Sequence, residues 1–325
     1  MDIYSLDIGG SSIKHGVVRV EGACCEIMER LPTIALATRS FSDVRKNVVS
    51  AVAAYAQKTG SLINVAISTT GGVARSGLVW NAGHFDDYIN VDWQQILRSE
   101  LPSLIAKVVT VNDGKASTWA EYKRIGVGTE VFVHFVVGSG VGGGIVFLDR
   151  LVYGDAETAG ALGHMKVGGE SGVVCSCGHK NCVETLASSR AIARFFGEWL
   201  RNSGSLQDNP PTFEDAVIAA NNGNTGALRA FEIAGGWLGV AISNVINVLN
   251  PKYITVGGGV MLASAQVGSK DGGPYLASAT RRAHELAFKD VAEETIIRPA
   301  SAGNDGGLLG AAMLCASVVS HSKQL

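Results

Sequence analysis

Two stretches of the chain read as the same device. "LDIGGSSIKHGVV" (6–18) and "VFVHFVVGSGVGGGIVF" (131–147) each set an apolar strand, a glycine turn and a second strand in a row. In the first half "CCEIMERL" reads as a third strand of an antiparallel meander. "FSDVRKNVVSAVAAYAQKTG" then reads as a helix, with Ser42 or Asp43 as N-cap and Gly60 as its stop, and "INVAIST" as the next strand. In the second half "PPTFEDAVIAANNGNTGALRAFEIAGGWLGVAISNVINVLNP" reads as two helices and "YITVGGGV" as a strand running into glycines. A strand–turn–strand unit met twice, with helix and strand later in each half, is duplication at the scale of a domain. It predicts two halves of one architecture, with no Pro-, Ser- or charge-rich linker to mark their border.

The length, 325 residues, suffices for two domains with separate cores. A formal charge of −2 gives no general attraction to nucleic acid or to an anionic membrane, so neither is expected as a partner. The start, "MDIYSLDIGG", has no basic n-region before an apolar core, so no signal peptide is expected. No run reaches the roughly 18 apolar residues of a membrane span. Six cysteines are few, and three of them cluster at metal spacing. That usage fits a reducing cytoplasm better than a disulfide framework. Cys24, Cys25 and Cys315 read as core or surface thiols.

Three glycine clusters follow strand-like runs. In "DIGGSSIK", Gly9 and Gly10 let the backbone approach phosphate, Ser11, Ser12 and Lys14 add donors, and Asp7 could hold Mg²⁺ through water. An ordinary glycine hairpin would carry the same residues. "GSGVGGG" supplies Gly138, Ser139, Gly140 and Gly142, and "GGGV" supplies Gly257, Gly258 and Gly259. Three such turns in one chain favour a nucleotide. No G-x-x-x-x-G-K-[ST] occurs, so this is not a P-loop, and dinucleotide binding is the weaker reading. "TVNDGKASTWAEY" sets Asn112 and Asp113 at a strand's end and a helix's mouth. An aspartate there is accessible and rigidly held, as a general base must be. Either residue could equally serve as the helix cap.

In "HMKVGGESGVVCSCGHKNCVE" (164–184), His164, Cys175, Cys177 and Cys182 make a Cys₃His set. Three thiolates and an imidazole close a tetrahedral Zn²⁺ shell with no open position, the structural rather than the catalytic kind. Gly168, Gly169, Gly172 and Gly178 suit a loop wound tightly around an ion. His179 is an alternative nitrogen ligand.

Together these segments resemble the ROK family of sugar kinases and sugar-responsive repressors, within the actin-like, hexokinase-like ATPase superfamily. "DIGGSSIKHGVV" and "VVGSGVGGGIV" look like its two phosphate motifs, "STTGGV" its sugar loop and "VNDGKASTWAEY" its catalytic strand. "GALGHMKV…CSCGHKNCVE" looks like its zinc loop, and "ITVGGGV" and "AGNDGGLLGAA" its adenosine-side segments. The resemblance spans essentially the whole chain. It implies an α/β fold of two actin-like (ribonuclease H-like) domains with a nucleotide and sugar cleft between them. Residues 1–118 plus about 304–325 would form the smaller domain, to which the C-terminal helix returns. Residues 119–303 would form the larger one, carrying the zinc loop. By the same resemblance Asp113 is the general base for phosphorylation of a hexose or its derivative, usually at the 6-hydroxyl. Asn112, His164 and Glu184 correspond to sugar-hydroxyl binders, and Gly71 to a backbone contact. ATP, Mg²⁺ and structural Zn²⁺ are the implied cofactors, and a homodimer is expected from the family.

The chain departs from the pattern in one telling place. The family's G-E-x-G-H reads Gly160-Ala161-Leu162-Gly163-His164, so the glutamate that accepts from sugar hydroxyls is absent. A hydrogen bond to a charged acceptor is worth roughly 1.5–3 kcal/mol. Three readings follow: a sugar different at that hydroxyl, Glu157 reaching in instead, or impaired phosphorylation. "STTGGV" also lacks the commoner Pro-Gly. A kinase of altered sugar selectivity is the favoured reading, with a catalytically silent sugar sensor or an ATPase acting on a non-sugar partner as its rivals. No N-terminal helix-turn-helix of the kind found in ROK repressors is legible.

Overall fold

A computed structural model describes residues 1–83, 85–168, 172–205, 209–267 and 272–321. The chain divides into two compact units, Met1–Ile125 with Leu151–Ala159 and Asp305–Leu325, and Gly126–Arg150 with Gly160–Asn304. Residue 118, the expected border, lies inside a helix of the first unit, and the segment Leu151–Ala159 groups with that unit rather than with the residues around it.

In the first unit β1 (Asp2–Ile8), β2 (Ser12–Glu21) and β3 (Cys24–Arg30) form the antiparallel meander the sequence calls for, with β4 (Ile34–Ala35) added beside β2. Helix α1 (Phe41–Thr59) buries Val44, Val48, Val52 and Ala56, one face at a spacing of four. It stops at Gly60 as expected, but its N-cap is Ser40 rather than Ser42 or Asp43. The Ser40 hydroxyl accepts from the Asp43 amide at 3.2 Å, and the Asp43 carboxylate accepts from the Thr38 amide at 3.0 Å, which places Asp43 at the third helical position.

Strand β5 (Ile63–Thr69) then runs parallel to β1. A small sheet of β6 (Gly72–Val73), β7 (Leu78–Asn81) and β8 (Val91–Asp92) precedes α2 (Trp93–Glu100). Buried Trp93 donates through Nε1 to the Tyr88 hydroxyl at 2.6 Å, which in turn lies 3.1 Å from the Thr69 hydroxyl, so the end of β5 is anchored in the core. Strand β9 (Ile105–Asn112) pairs parallel to β5 and feeds α3 (Asp113–Glu121), which passes into a π-turn at Tyr122–Gly126. The sheet order is β3-β2-β1-β5-β9.

The second unit repeats that order. β10 (Val131–Val137) and β11 (Val141–Phe147) form the antiparallel pair around the second glycine turn, followed by the short β12 (Arg150–Leu151). After the cysteine loop come α4 (Glu184–Ala187), α5 (Ser189–Asn202), α6 (Phe213–Asn221) and α7 (Thr225–Leu249). Then follow β13 (Tyr253–Gly257), α8 (Gly259–Val267), α9 (Gly273–Leu286), α10 (Lys289–Glu294) and β14 (Ile296–Pro299). The sheet reads β12-β11-β10-β13-β14, with β13 parallel to both β10 and β14. By length and composition α7 could cross a membrane. Half of its apolar window is buried here, with Phe231, Leu238, Ile242 and Ile246 in the core of this unit, as befits a central helix of a folded domain.

The last helix, α11 (Gly306–His321), returns to the first unit and packs against α3 and β5 through Leu309, Ala312, Cys315 and Ala316. Its Gly310 lies so close to α3 that an added β-carbon would overlap the Ala116 carbonyl. Gly310→Ala should therefore cost about 1–3 kcal/mol by overpacking. Thermal unfolding should show a lowered Tm, and an unchanged Tm would mean that the α3–α11 approach is looser than described.

Candidate functional site

In the first unit the parallel strands end together. Register pairs Asp7 with Ser68 and Thr69 with Asn112, so the tips of β1, β5 and β9 meet at one edge, where open α/β sheets place their ligands. Asp7 accepts from the Ser68 hydroxyl at 2.7 Å and lies 3.9 Å from the Lys14 ammonium. Burial pushes its carboxyl up, against the pull of Ser68 and Lys14, and Asp305 adds to the rise. The turn after it is closed by the Gly9 amide donating to the Ser12 carbonyl at 2.9 Å, with Gly10 and Ser11 exposed at its tip.

Asn112 and Asp113 divide the two roles that the sequence leaves open. Asn112 is the cap of α3: its Oδ1 accepts from the Lys115 amide at 3.0 Å. Its Nδ2 donates to the Gly71 carbonyl at 2.9 Å and to Asp113 Oδ1 at 3.0 Å, which engages both amide hydrogens. Gly71 itself has φ +95°, and a β-carbon there would collide with the Asn81 carbonyl, so the loop takes this path only with glycine. Asp113 Oδ1 also accepts from the Gly114 amide at 2.8 Å. Its Oδ2 has no hydrogen bond among the described residues, and the residue keeps part of its surface accessible. Burial, together with the charge of Asp7, pushes this carboxyl up to about 7 against its hydrogen bonds. One oxygen is fixed and the other is open, on a group that can exchange a proton near neutral pH.

In the second unit the Gly138 amide donates to the Gly140 carbonyl at 2.9 Å. The first turn of α5 holds this loop from below. The Ser189 amide donates to the Gly138 carbonyl at 2.8 Å, and Arg190 Nε donates to the Ser139 carbonyl at 2.6 Å. Glu184 Oε2 accepts from the Val141 amide at 3.1 Å, and Gly142 follows on β11. Gly257 closes β13 in register with Val136, Gly258 makes the turn, and Gly259 opens α8.

The cysteine loop brings its four expected ligands together. One donor atom from each of His164, Cys175, Cys177 and Cys182 lies within 4.8 Å of all the others. His164 Nδ1 is 3.4 Å from Cys175 Sγ, and the Cys177 and Cys182 sulfurs are 3.5 Å apart. Ligand atoms about 2.3 Å from a tetrahedral Zn²⁺ would be spaced by about 3.8 Å, so both the donor set and its size fit that ion. His179 stays outside the cluster: its Nδ1 lies 3.1 Å from the Cys177 carbonyl oxygen. The Cys175 amide donates to the His179 carbonyl at 2.8 Å and the Gly178 amide to the Cys175 carbonyl at 2.9 Å, which folds the ligands inward. Gly169 lies outside the described residues. Burial pushes the Cys175 thiol up. Burial pushes the Cys177 thiol up as well, but hydrogen bonds from His179, Cys182 and Cys175 together outweigh it and hold this thiol below the usual range.

Sequence reasoning missed Lys166, whose ammonium lies 2.8 Å from Cys182 Sγ. A Cys₃His shell around Zn²⁺ carries one net negative charge, and a lysine against a thiolate offsets it. Its only sequence signal was a cation two residues after a ligand histidine. It also missed the roles of Ser68, which opens "STTGGV" but was given none, and of Arg190, which carries no motif of its own.

Two sheets of one strand order, each with a glycine turn after its first strand, define the two-domain actin-like α/β fold. The chain belongs to the ROK family, whose model matches residues 3–318. It is 32% identical over 321 residues to the N-acetylmannosamine kinase of Citrobacter koseri, covering 97% of this chain and 98% of that one. It is 29% identical over 325 residues to the glucokinase of Halalkalibacterium halodurans, covering 95% and 93%. Among solved structures, the ROK family glucokinase from Streptomyces griseus in complex with glucose and AMPPNP is similar with a TM-score of 0.81. That match has 25% identity and covers 98% of this chain and 100% of that chain.

Outer groups that neutralise metal ligands typically change metal affinity by about 10–100-fold. Lys166→Met should weaken Zn²⁺ retention to that extent in competition with a chelator while leaving the far-ultraviolet spectrum of the loaded protein intact. Unchanged retention would show that the ammonium is not part of the metal environment.

Proposed function

We propose that the chain is an ATP-dependent sugar kinase that phosphorylates a hexose or hexose derivative, at the 6-hydroxyl, with Asp113 as general base. The observation that carries this reading is the Asp113 carboxylate: Oδ1 held by two donors, Oδ2 open, and a proton affinity matched to neutral pH. The relatives named above, a glucokinase and an N-acetylmannosamine kinase matched over nearly their full lengths, support the same class of substrate.

In this reading Asp113 Oδ2 takes the proton of the attacking hydroxyl as its oxygen forms a bond to the γ-phosphorus, and the bond to the β–γ bridging oxygen breaks to release ADP. Asn112 fixes the base and, through Gly71, the sugar loop. The exposed amides of Gly10 and Ser11, with Ser12 and Lys14, serve the phosphates on a turn that Gly9 closes, as do the turns at Gly138–Gly140 with Gly142 and at Gly257–Gly259. Asp7 would hold Mg²⁺ through water, and that ion would supply neutralisation of the phosphate charge. His164 and Glu184 are assigned to sugar hydroxyls at the two ends of the metal loop. Zn²⁺ in a closed Cys₃His shell has no position for water and would serve to hold that loop.

Glu157, one candidate for the carboxylate missing at Ala161, is engaged within the first unit. Glu157 accepts from the Arg75 amide at 3.1 Å and stands 3.9 Å from that residue's guanidinium.

Sugar-dependent ADP release across neutral hexoses, hexosamines and N-acetylhexosamines tests the proposal, and ADP release indifferent to every sugar would overturn it. Asp113→Asn should lower kcat by about 10²–10⁴-fold while keeping fold and metal. Because the base must be unprotonated, kcat/KM of the unaltered enzyme should fall tenfold per pH unit below about 7 and level off above it. A profile flat down to pH 5 would remove Asp113 from the proton transfer.

A further inference from the structure

Two residues beyond the proposed base stands a lysine that none of the roles above employs. Lys115 is only 6% exposed, yet its ammonium has no carboxylate within ion-pair distance and no hydrogen-bond acceptor among the described residues. Among those residues no fully buried side-chain nitrogen or oxygen lacks a partner, so the tip of this otherwise buried side chain must open to solvent. A cation whose protein surroundings offer its three donors no acceptor leaves them to water, or to an acceptor that arrives from outside and displaces it.

Its surroundings say which side it faces. The ammonium lies 5.4 Å from the centre of the Tyr153 ring, and the Arg75 guanidinium lies 5.0 Å from the centre of the same ring. Arg75 lies two residues after the Gly71–Val73 stretch of the sugar loop. Tyr153 and Glu157 come from Leu151–Ala159, the segment that groups with this unit. Glu157 is engaged with Arg75, which leaves Lys115 as the cation of the group without a counter-ion at contact distance. Asp113 feels the charge of Asp7 near the end of β1, whereas Lys115 feels Asp113 and Glu157. Arg75, close in sequence to the Gly71 loop, shares the Tyr153 ring with Lys115, which puts Lys115 on the acceptor side.

We propose that Lys115, with Arg75 beside it, is an anion-recognition element of the acceptor subsite, and that the preferred acceptor is a sugar bearing a carboxylate or phosphate besides the hydroxyl that is phosphorylated. The inference rests on the sugar-kinase reading and narrows it. An acceptor anion satisfies the ammonium's hydrogen bonds and its charge together, which a neutral hexose cannot do.

The test uses matched acceptors that keep the 6-hydroxyl free. N-acetylmuramate against N-acetylglucosamine probes a carboxylate, and glucose 1-phosphate against glucose probes a phosphate. ADP release is measured for the unaltered protein, Lys115→Met and Lys115→Arg. The expected result is a kcat/KM at least tenfold higher for the anionic member of one pair. Lys115→Met should abolish that preference through a KM raised on the order of tenfold to a hundredfold, and Lys115→Arg should retain it. Unfolding curves establish that the variants are folded. A preference for the neutral member of both pairs, or a ratio unmoved by Lys115→Met, overturns the proposal. Absence of turnover with every acceptor refutes the kinase reading instead. Ligand-induced shifts of Tm then decide the lysine's role: a shift by an anionic sugar that is lost in Lys115→Met upholds it, and no shift in the unaltered protein overturns it.

Discussion

One side-chain amide holds the first unit's chemistry in place. Asn112 uses its oxygen to cap α3 and both amide hydrogens to bind the Gly71 carbonyl and Asp113 Oδ1. Strand β9, helix α3, the loop at Gly71 and the proposed base are thereby tied to one planar group. Aspartate at this position would lose both donors, and leucine would lose the cap as well. The accessible Oδ2 of Asp113 follows from this arrangement, since its other oxygen is the one that the amide and the Gly114 backbone occupy. The elevated proton affinity has a second origin, the burial of the group near Asp7, so position and protonation are set by different neighbours.

The cysteine loop has the same economy in the second unit. Few apolar contacts hold residues 172–181, most of which are exposed. Backbone bonds between Cys175, Gly178 and His179 shape the hairpin, and the clustered donor atoms lie at spacings suited to a divalent ion. Lys166, 2.8 Å from Cys182 Sγ, would offset the negative charge of such a filled site. The loop then continues into Glu184, which reaches the Val141 amide just after the second glycine turn. Metal loop and phosphate-type turn are thus mechanically connected within one unit.

Much of this was legible in order along the chain. The repeated strand–turn–strand segments announce a duplicated fold, because alternation of β-branched residues and glycine clusters is a local property. The Cys₃His spacing announces the metal loop for the same reason, as all four ligands fall within nineteen consecutive positions, 164–182. The N-cap of α1 was misplaced by two or three residues, since Ser40, Ser42 and Asp43 are all good caps and only the Thr38 turn selects among them. Ser68, Lys166 and Arg190 were not legible, because each acts on a group distant in sequence or lacks a distinctive pattern.

The sequence by itself determined the two strand–turn–strand units, the cysteine–histidine ligand set and the Asn-Asp pair at a strand's end. Those depend on periodicity and spacing between near neighbours. Only the tertiary structure decided that Asn112 is the cap and Asp113 the open carboxylate. It alone showed that Glu157 is taken up by Arg75, and that Lys115 is buried against Tyr153 without a counter-ion at contact distance. These outcomes depend on which side chains meet after the strands align and α11 returns to α3, and burial and charge acquire their values only then.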